Sequence, residues 1–147
     1  MSETMASVLK SKGNAVWSVA PDATVYDAIA AMANKSVGAL LVMSGERLEG
    51  IISERDYARK VILEGRSSKD TLVREIMTSS VVTVTPEHTV DQCMQIVTES
   101  RIRHLPVMER DTVVGIVSIG DLVRTTIAAQ AATIDHLHTY ICGTYPS

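Results

Sequence analysis

The chain has 147 residues, 46% of them hydrophobic and 21% charged, a composition that can bury one core and argues against intrinsic disorder. A formal net charge of −3 excludes the positive field of a non-specific nucleic-acid binder, and the 3% of aromatic residues offer no platform for stacking single-stranded bases. The longest apolar stretches fall far short of the roughly 20 residues of a membrane helix. We therefore expect a protein that binds neither nucleic acid nor membrane.

The N-terminal stretch 1–12 contains an acidic residue and lacks an apolar run followed by a small-residue cleavage site. No secretory signal is predicted, so a cytoplasmic location is the expectation. The two cysteines, Cys93 and Cys142, stand far apart without Cys-x-x-Cys spacing. Reduced thiols are favoured for both over a disulfide or a metal site.

An internal repeat organises the chain. Shifted by 65 residues, segment 16–62 aligns with 81–127 without a gap, and 14 of the 47 positions are identical where composition alone gives roughly three. This register predicts five parts: an N-terminal segment 1–15, a first repeat 16–63, a linker with a short helix 64–77, a second repeat 78–128, and a C-terminal helix and tail 129–147.

Each repeat predicts the element order β-α-β-β-α, and the fold class is therefore α+β. An extended segment ends at a proline, after which Thr24 or Thr89 caps an amphipathic helix. Two short apolar runs around a polar turn then predict a β-hairpin. A second helix begins near Ser53 or Ser118. The predicted strands are 16–20, 39–43 and 48–52 in the first repeat and 81–85, 105–108 and 113–117 in the second.

The last helix is predicted to continue to about residue 141, before Gly143 and Pro146 end it. Its apolar residues fall on one stripe: Ile127, Ala131, Ile134, Leu137 and Ile141. Such a stripe needs a partner surface, which is either the core of the same chain or a second molecule.

Both hairpins end in one motif, Gly50-Ile-Ile-Ser53-Glu-Arg-Asp56 and Gly115-Ile-Val-Ser118-Ile-Gly-Asp121. One hypothesis is structural, because Ser followed three residues later by an acid is a helix capping box. The other is a nucleotide site. A strand-to-helix junction presents free N–H groups to a phosphate, and a carboxylate can accept both hydroxyls of a ribose.

A basic cluster, Arg101, Arg103 and His104, precedes the second hairpin and has no counterpart in the first repeat. Solvated surface is the ordinary interpretation, and an anion pocket is the alternative. Arg55 reverses the asymmetry, because its counterpart is Gly120. In the nucleotide hypothesis each site would therefore have its own cation.

With these motifs the chain resembles a tandem pair of cystathionine-β-synthase (CBS) domains, often called a Bateman module. The resemblance covers about residues 5–129 and rests on the doubled motif, the Arg-His-Leu-Pro-Val run and the repeated element order. It implies a pseudo-twofold pair of repeats, with sheets packed together and helices outside. It also implies two clefts between the repeats that bind an adenine nucleotide such as AMP, ADP, ATP or NAD.

The resemblance further implies a stand-alone regulatory sensor and homodimer that has no catalytic cofactor and signals to an unidentified partner protein. The motif aspartates would hold ribose hydroxyls, and the serines and basic residues would lie near phosphate. Val37 and Gly38 would line one cleft and Ile102 the other. The implied binding residues are Lys12, Val37, Gly38, Ser53, Arg55, Asp56, Thr78, Ile102, Arg103, His104, Pro106, Ser118 and Asp121.

Two alternatives compete with the sensor. One is an interaction or oligomerisation module with vestigial clefts that uses its C-terminal helix. The other is an enzyme, for which the sequence offers neither a nucleophile with an oriented base nor a metal with an open position. Trp17 is predicted to pack in the core, with contact to a bound base as the alternative. His136 and His138, two residues apart on a helix, point to different faces and do not predict chelation.

Overall fold

A computed structural model of the chain describes residues 3–142, apart from the side chains of residues 136 and 138–142. The observed order confirms two repeats of mixed helix and strand followed by a long helix. A π-helical turn, Ala58–Ile62, continues the short helix Glu54–Tyr57. The elements are α1 (Met5–Lys12), β1 (Ser18–Val19), α2 (Val25–Lys35), β2 (Ala39–Ser44), β3 (Arg47–Ser53), α3 (Glu54–Tyr57), α4 (Val73–Ile76), α5 (Val90–Ser100), β4 (His104–Glu109), β5 (Thr112–Ser118) and α6 (Ile119–Cys142).

Helices α2 and α5 occupy equivalent places in the two repeats and begin and end in the same way. The predicted caps are confirmed, since the hydroxyls of Thr24 and Thr89 each accept a main-chain hydrogen bond at 3.1 Å. Each helix ends at a residue with a φ of 55°, Ser36 or Arg101. The first residue of the basic cluster is therefore a helix C-cap.

The two predicted hairpins are confirmed, and they share one register. In each, an antiparallel pair is interrupted by a bulge, between Val42 and Met43 in β2 and between Val107 and Met108 in β4. These positions differ by the same 65 residues as the sequence repeat. Both hairpins consequently deliver their Ser-x-x-Asp motif to the same kind of strand-to-helix junction.

The predicted first strand of the second repeat is wrong. In the first repeat β1 pairs parallel with β2, and Leu41 N–H donates to the carbonyl of Trp17 at 3.1 Å. The position equivalent to Leu41 is Pro106, which has no N–H to donate. Segment 81–85 is therefore reduced to one isolated bridge, between Val84 and Val107.

Each repeat is completed by the helix that precedes the other repeat in the sequence. Val73 and Ile76 of α4 are buried in the core of the first repeat, whereas Met5 and Val8 of α1 are buried in the core of the second. We call α1 and α4 the exchanged helices. Main-chain hydrogen bonds of 2.8 Å tie each to its host, from Val25 to Thr71 and from Val90 to Glu3.

Helix α6 begins in the core and ends outside it. Leu122 is fully buried, whereas Ile127, Ile134 and Leu137 are 58%, 67% and 51% exposed. The core of the same chain is one of the two predicted partners for the stripe, and it does not cover these three residues. The side chain of Ile141, and Gly143 and Pro146, lie outside the described part of the chain.

The described range holds no helix that is both long and apolar enough to cross a bilayer. Cys93 is a buried free thiol of the second core, where burial raises its pKa to about 11. It is protonated at physiological pH and packs as a small apolar group. The side chains of Cys142, His136 and His138 lie outside the description.

Candidate functional site

A cleft of about 360 Å³ lies between the two repeats, within the size range of small-molecule sites. Its walls come from different parts of the chain: the first repeat supplies an apolar end and the second a polar end, while the end of α1 closes one side. The cleft brings together six of the residues implied by the family resemblance: Lys12, Val37, Gly38, His104, Ser118 and Asp121.

Asp121 is the centre of the polar end, and it is only 7% exposed. Its Oδ2 accepts hydrogen bonds from the main chain of Ser118 at 2.8 Å and from Lys12 Nζ at 2.5 Å. Its Oδ1 accepts from Arg124 at 2.5 Å. Lys12 Nζ also donates to the carbonyl of Ile116 at 2.6 Å, which holds the end of α1 against β5.

The ionisation of Asp121 follows from these contacts. Burial by itself raises the pKa of Asp121, but hydrogen bonds from Lys12 and Ser118 and the charge of Lys12 outweigh it and hold the pKa below its ordinary value. The carboxylate is therefore charged at physiological pH. A buried anion beside a lysine ammonium suits a ligand that carries hydroxyl donors and a phosphate.

The capping hypothesis is confirmed for both motifs. Ser53 N–H donates to Asp56 Oδ2 at 2.9 Å and the Ser53 hydroxyl accepts from Asp56 N–H at 3.2 Å, which closes a capping box at α3. Ser118 and Asp121 exchange the same two bonds at α6. Capping accounts for the doubled motif but not for the burial of Asp121 or for its pairing with Lys12.

His104 lies across the cleft from Gly38, half-buried at the start of β4. Burial lowers its pKa below the ordinary value, the charges of Lys12 and Arg103 act in the same direction, and Asp121 opposes them. A Cβ on Gly38 would stand 3.2 Å from Glu54 Oε1 and 3.9 Å from the His104 ring. A Cβ here would therefore be tight only against Glu54, in the same repeat, and would reach ordinary van der Waals contact with His104 of the other.

The other seven implied residues lie outside this cleft. Ser53, Arg55 and Asp56 are at the junction of β3 and α3, and Thr78 pairs its main chain with Ile51 beside them. Ile102 packs against the second core, Arg103 is exposed, and Pro106 is buried in β4. The repeat matches Ser53 to Ser118 and Ile102 to Val37, so these residues occupy the pseudo-equivalent places.

Sequence reasoning missed two partners of the motif aspartates. Arg124 pairs with Asp121, and Lys60 pairs with Asp56 at 3.2 Å. Their i,i+3 and i,i+4 spacing on a helix was the available signal. The prediction that Trp17 packs in the core is wrong, because its side chain is 43% exposed and lines the cleft.

We expect the protein to lose stability as the pH falls below about 6.5, the ordinary pKa of histidine. Below that pH the unfolded chain is protonated at His104, whereas the folded protein keeps His104 neutral until the pH falls to the lower pKa of the folded state. The loss is confined to the window between those two values. Urea unfolding at about pH 7.5 and about pH 5.5 measures it.

The variant His104→Gln should lose much of this acid sensitivity. Equal pH dependence in the wild type and His104→Gln would show that the pKa of His104 is not lowered by folding.

Comparison with known proteins adds three observations. The sequence profile of the CBS domain matches residues 13–63 and 73–127. CBS domain-containing protein CBSX3, mitochondrial, of Arabidopsis thaliana is 46% identical over 154 residues, covering 98% of this chain and 74% of the relative. A solved CBS-domain protein of Burkholderia ambifaria MC40-6, whose name proposes a role in signal transduction, is 50% identical with a TM-score of 0.83, covering 86% of this chain and 96% of its own.

A more distant neighbour shares the fold. The CBS domain pair of protein MJ0100, solved in complex with 5′-methylthioadenosine and S-adenosyl-L-methionine, superimposes with a TM-score of 0.78 over 88% of this chain and 99% of its own. The two sequences are 21% identical. The architecture of two such repeats is thus common to proteins that have diverged widely.

Proposed function

The chain belongs to the CBS domain family, and on that basis we propose that it is a regulatory module that binds an adenine nucleotide between its repeats and transmits the occupancy to a partner protein. The observation that carries the proposal is the composition of the cleft. Val37 and Gly38 of one repeat face Ser118 and Asp121 of the other. A ligand there contacts both repeats at once.

The polar end has the chemistry that a ribose requires. The Asp121 carboxylate offers acceptor oxygens to two neighbouring hydroxyls, and the first turn of α6 adds the partial positive charge of a helix N-terminus. The distant neighbour MJ0100 supports an adenosine ligand, because both small molecules in its complex contain adenosine. AMP, ADP, ATP and NAD share that adenosine unit.

Lys12 provides the proposed site with a cation that can pair with the phosphate of a ligand. In the cleft its ammonium neutralises Asp121 and is 32% exposed. Ribose hydroxyls that approach Asp121 Oδ2 would compete for the same acceptor, and the released lysine could pair with the ligand's phosphate. Because Lys12 ends α1, this exchange would bear directly on the position of that helix.

Transmission requires that the ligand bind one arrangement of the repeats better than another. A ligand that touches both walls has such a differential affinity, and by linkage it shifts whatever equilibrium depends on that arrangement. The partner protein, a homodimer and a cytoplasmic location stay predictions. The exposed stripe of Ile127, Ile134 and Leu137 is the surface that supports dimerisation.

A second site is part of the proposal. Asp56, with Ser53 and Thr78, would hold a second ribose, and Arg55, Ile102, Arg103 and Pro106 complete the implied set. The supporting observation is that both Ser-x-x-Asp motifs have the same hydrogen-bond geometry.

Isothermal titration of the nucleotide-stripped protein with AMP tests the proposal, followed by NAD, ATP and S-adenosylmethionine under the same conditions. We expect saturable binding that weakens at least about tenfold in Asp121→Asn, because a hydrogen bond to a charged group is lost. Thr89→Ala is the matched control. It removes a helix cap of the same kind from α5, outside the cleft, and should leave the affinity unchanged.

A different result would favour the second candidate function, an interaction module with vestigial clefts. If none of the four compounds binds at millimolar concentration, the Ser-x-x-Asp motifs are helix caps alone. The exposed stripe of α6 is the observation that favours this alternative.

A further inference from the structure

The apolar end of the cleft contains the one tryptophan of the chain. Trp17 lies directly before β1, and its carbonyl accepts from Leu41 N–H at 3.1 Å, so the main chain under the ring is fixed by the sheet. The side chain nevertheless stays 43% exposed and faces the cleft with Val37 and Ala39. A large aromatic ring is thus held open to solvent at the wall of the proposed nucleotide site.

A lysine holds this ring from outside the cleft. Lys35, at the end of α2, places its Nζ 4.3 Å from the centre of the Trp17 ring. A cation at this distance over an indole is an attractive contact, worth a few-fold in an equilibrium at an exposed site. Trp17 lines the cleft and Lys35 does not. The ammonium therefore restrains the ring without occupying the space of a ligand.

The second repeat has no such wall. The residue equivalent to Trp17 in the second repeat is Val82. Its carbonyl has no hydrogen bond like that of Trp17, because Pro106, at the position equivalent to Leu41, has no N–H to donate. An aromatic platform is thus a property of the cleft that contains Asp121, and not of the pseudo-equivalent place at Asp56.

We propose that Trp17 is the base-recognition residue of this cleft, with its ring stacked on the adenine while Asp121 holds the ribose. The proposal rests on the proposed function and deepens it. The cleft then selects ligands that join a planar heteroaromatic ring to a ribose, and it discriminates against sugar phosphates that lack the ring. Lys35 is a positioning residue that keeps the indole in place.

The test compares AMP with ribose 5-phosphate, which has the same sugar and phosphate but no base. Both are titrated into the full chain and followed by calorimetry and by tryptophan emission, which reports on Trp17 alone. We expect AMP to change the emission and to bind at least about tenfold more tightly than ribose 5-phosphate.

Variants then separate stacking from the rest of the site. Trp17→Leu should lower the affinity for AMP about 5- to 150-fold, which is the usual cost of losing one base–aromatic stack. It should leave the affinity for ribose 5-phosphate unchanged. Trp17→Tyr should restore most of the AMP affinity, because it restores a ring. Unfolding curves of both variants check that the fold is intact.

The positioning role of Lys35 has a matched control. Lys35→Met should lower the affinity for AMP about two- to fivefold. Lys69→Met removes an equivalent cation from the ring of Tyr26, 5.0 Å away and outside the cleft, and should change nothing. Equal AMP affinity in Lys35→Met and the wild type would overturn the positioning role.

The two proposals fail differently. If the wild type binds none of AMP, NAD, ATP and S-adenosylmethionine, the proposed function fails and this inference with it. If Asp121→Asn binds AMP more weakly than the wild type by at least about tenfold, but Trp17→Leu binds it as the wild type does, then only the stacking role is overturned.

Discussion

We expect Met5→Ala to lower the free energy of unfolding by about 2–5 kcal/mol, the usual cost of truncating a fully buried methionine. Met5 is distant in sequence from the repeat that buries it, yet it packs among Val90, Cys93 and Leu122. Removing its side chain leaves a cavity in the second core. Urea denaturation followed by circular dichroism measures the change.

The control for this prediction is Leu63→Ala. Leu63 is as apolar as Met5 but 77% exposed, so its truncation should cost less than about 0.5 kcal/mol. Ile76→Ala, in the other exchanged helix, should cost as much as Met5→Ala. A loss in Met5→Ala no larger than that in Leu63→Ala would mean that α1 does not complete the second core.

We also expect alanine at either motif glycine to destabilise the protein, and Gly50→Ala to do so more than Gly115→Ala. A Cβ at Gly50 would stand 2.8 Å from the carbonyl oxygen of Thr78, which the sheet holds through Ile51. A Cβ at Gly115 would stand 2.6 Å from a methyl of Leu9, so it would meet side-chain atoms and not main chain. The expected losses are about 3 and about 1 kcal/mol.

Thermal and urea unfolding of the two variants measure that difference. Gly120→Ala is the control, because the nearest atom to its Cβ would be Nη1 of the exposed Arg124 side chain, at 3.3 Å. In the Gly115→Ala background, Leu9→Ala should cost less than it does alone, since it relieves the overlap. Strict additivity of the two changes would contradict the close approach of α1 to β5.

The repeat made much of the fold predictable. Because the two copies confirm each other's pattern, both hairpins and the Thr24 and Thr89 caps followed from sequence without further information. The first strand of the second repeat failed because apolar alternation at 81–85 describes one strand only. Whether this strand forms depends on the neighbouring strand β4, where Pro106 has no main-chain N–H to donate.

The site was less accessible to sequence reasoning. Periodicity identifies the apolar face of a helix but not the repeat against which it packs, so the exchange of α1 and α4 left no local signal. The pairing of Lys12 with Asp121 spans 109 positions, and it depends on that exchange. Trp17 was assigned to the core because large aromatics are usually buried, and the exposure of its ring depends on where the second repeat lies.

The exchange of helices sets an order on folding during synthesis. The first repeat has its whole core once residue 76 has been made. Helix α1, although made first, has no apolar surface to cover until the segment from Val84 to Leu122 has followed it. Helix α1 must then pack against residues that are distant from it in sequence. This long-range contact delays the last step of folding, and Met5, Val8 and Leu9 stay exposed until it forms. Helix α1 therefore completes the second core only after that core's other members have been made.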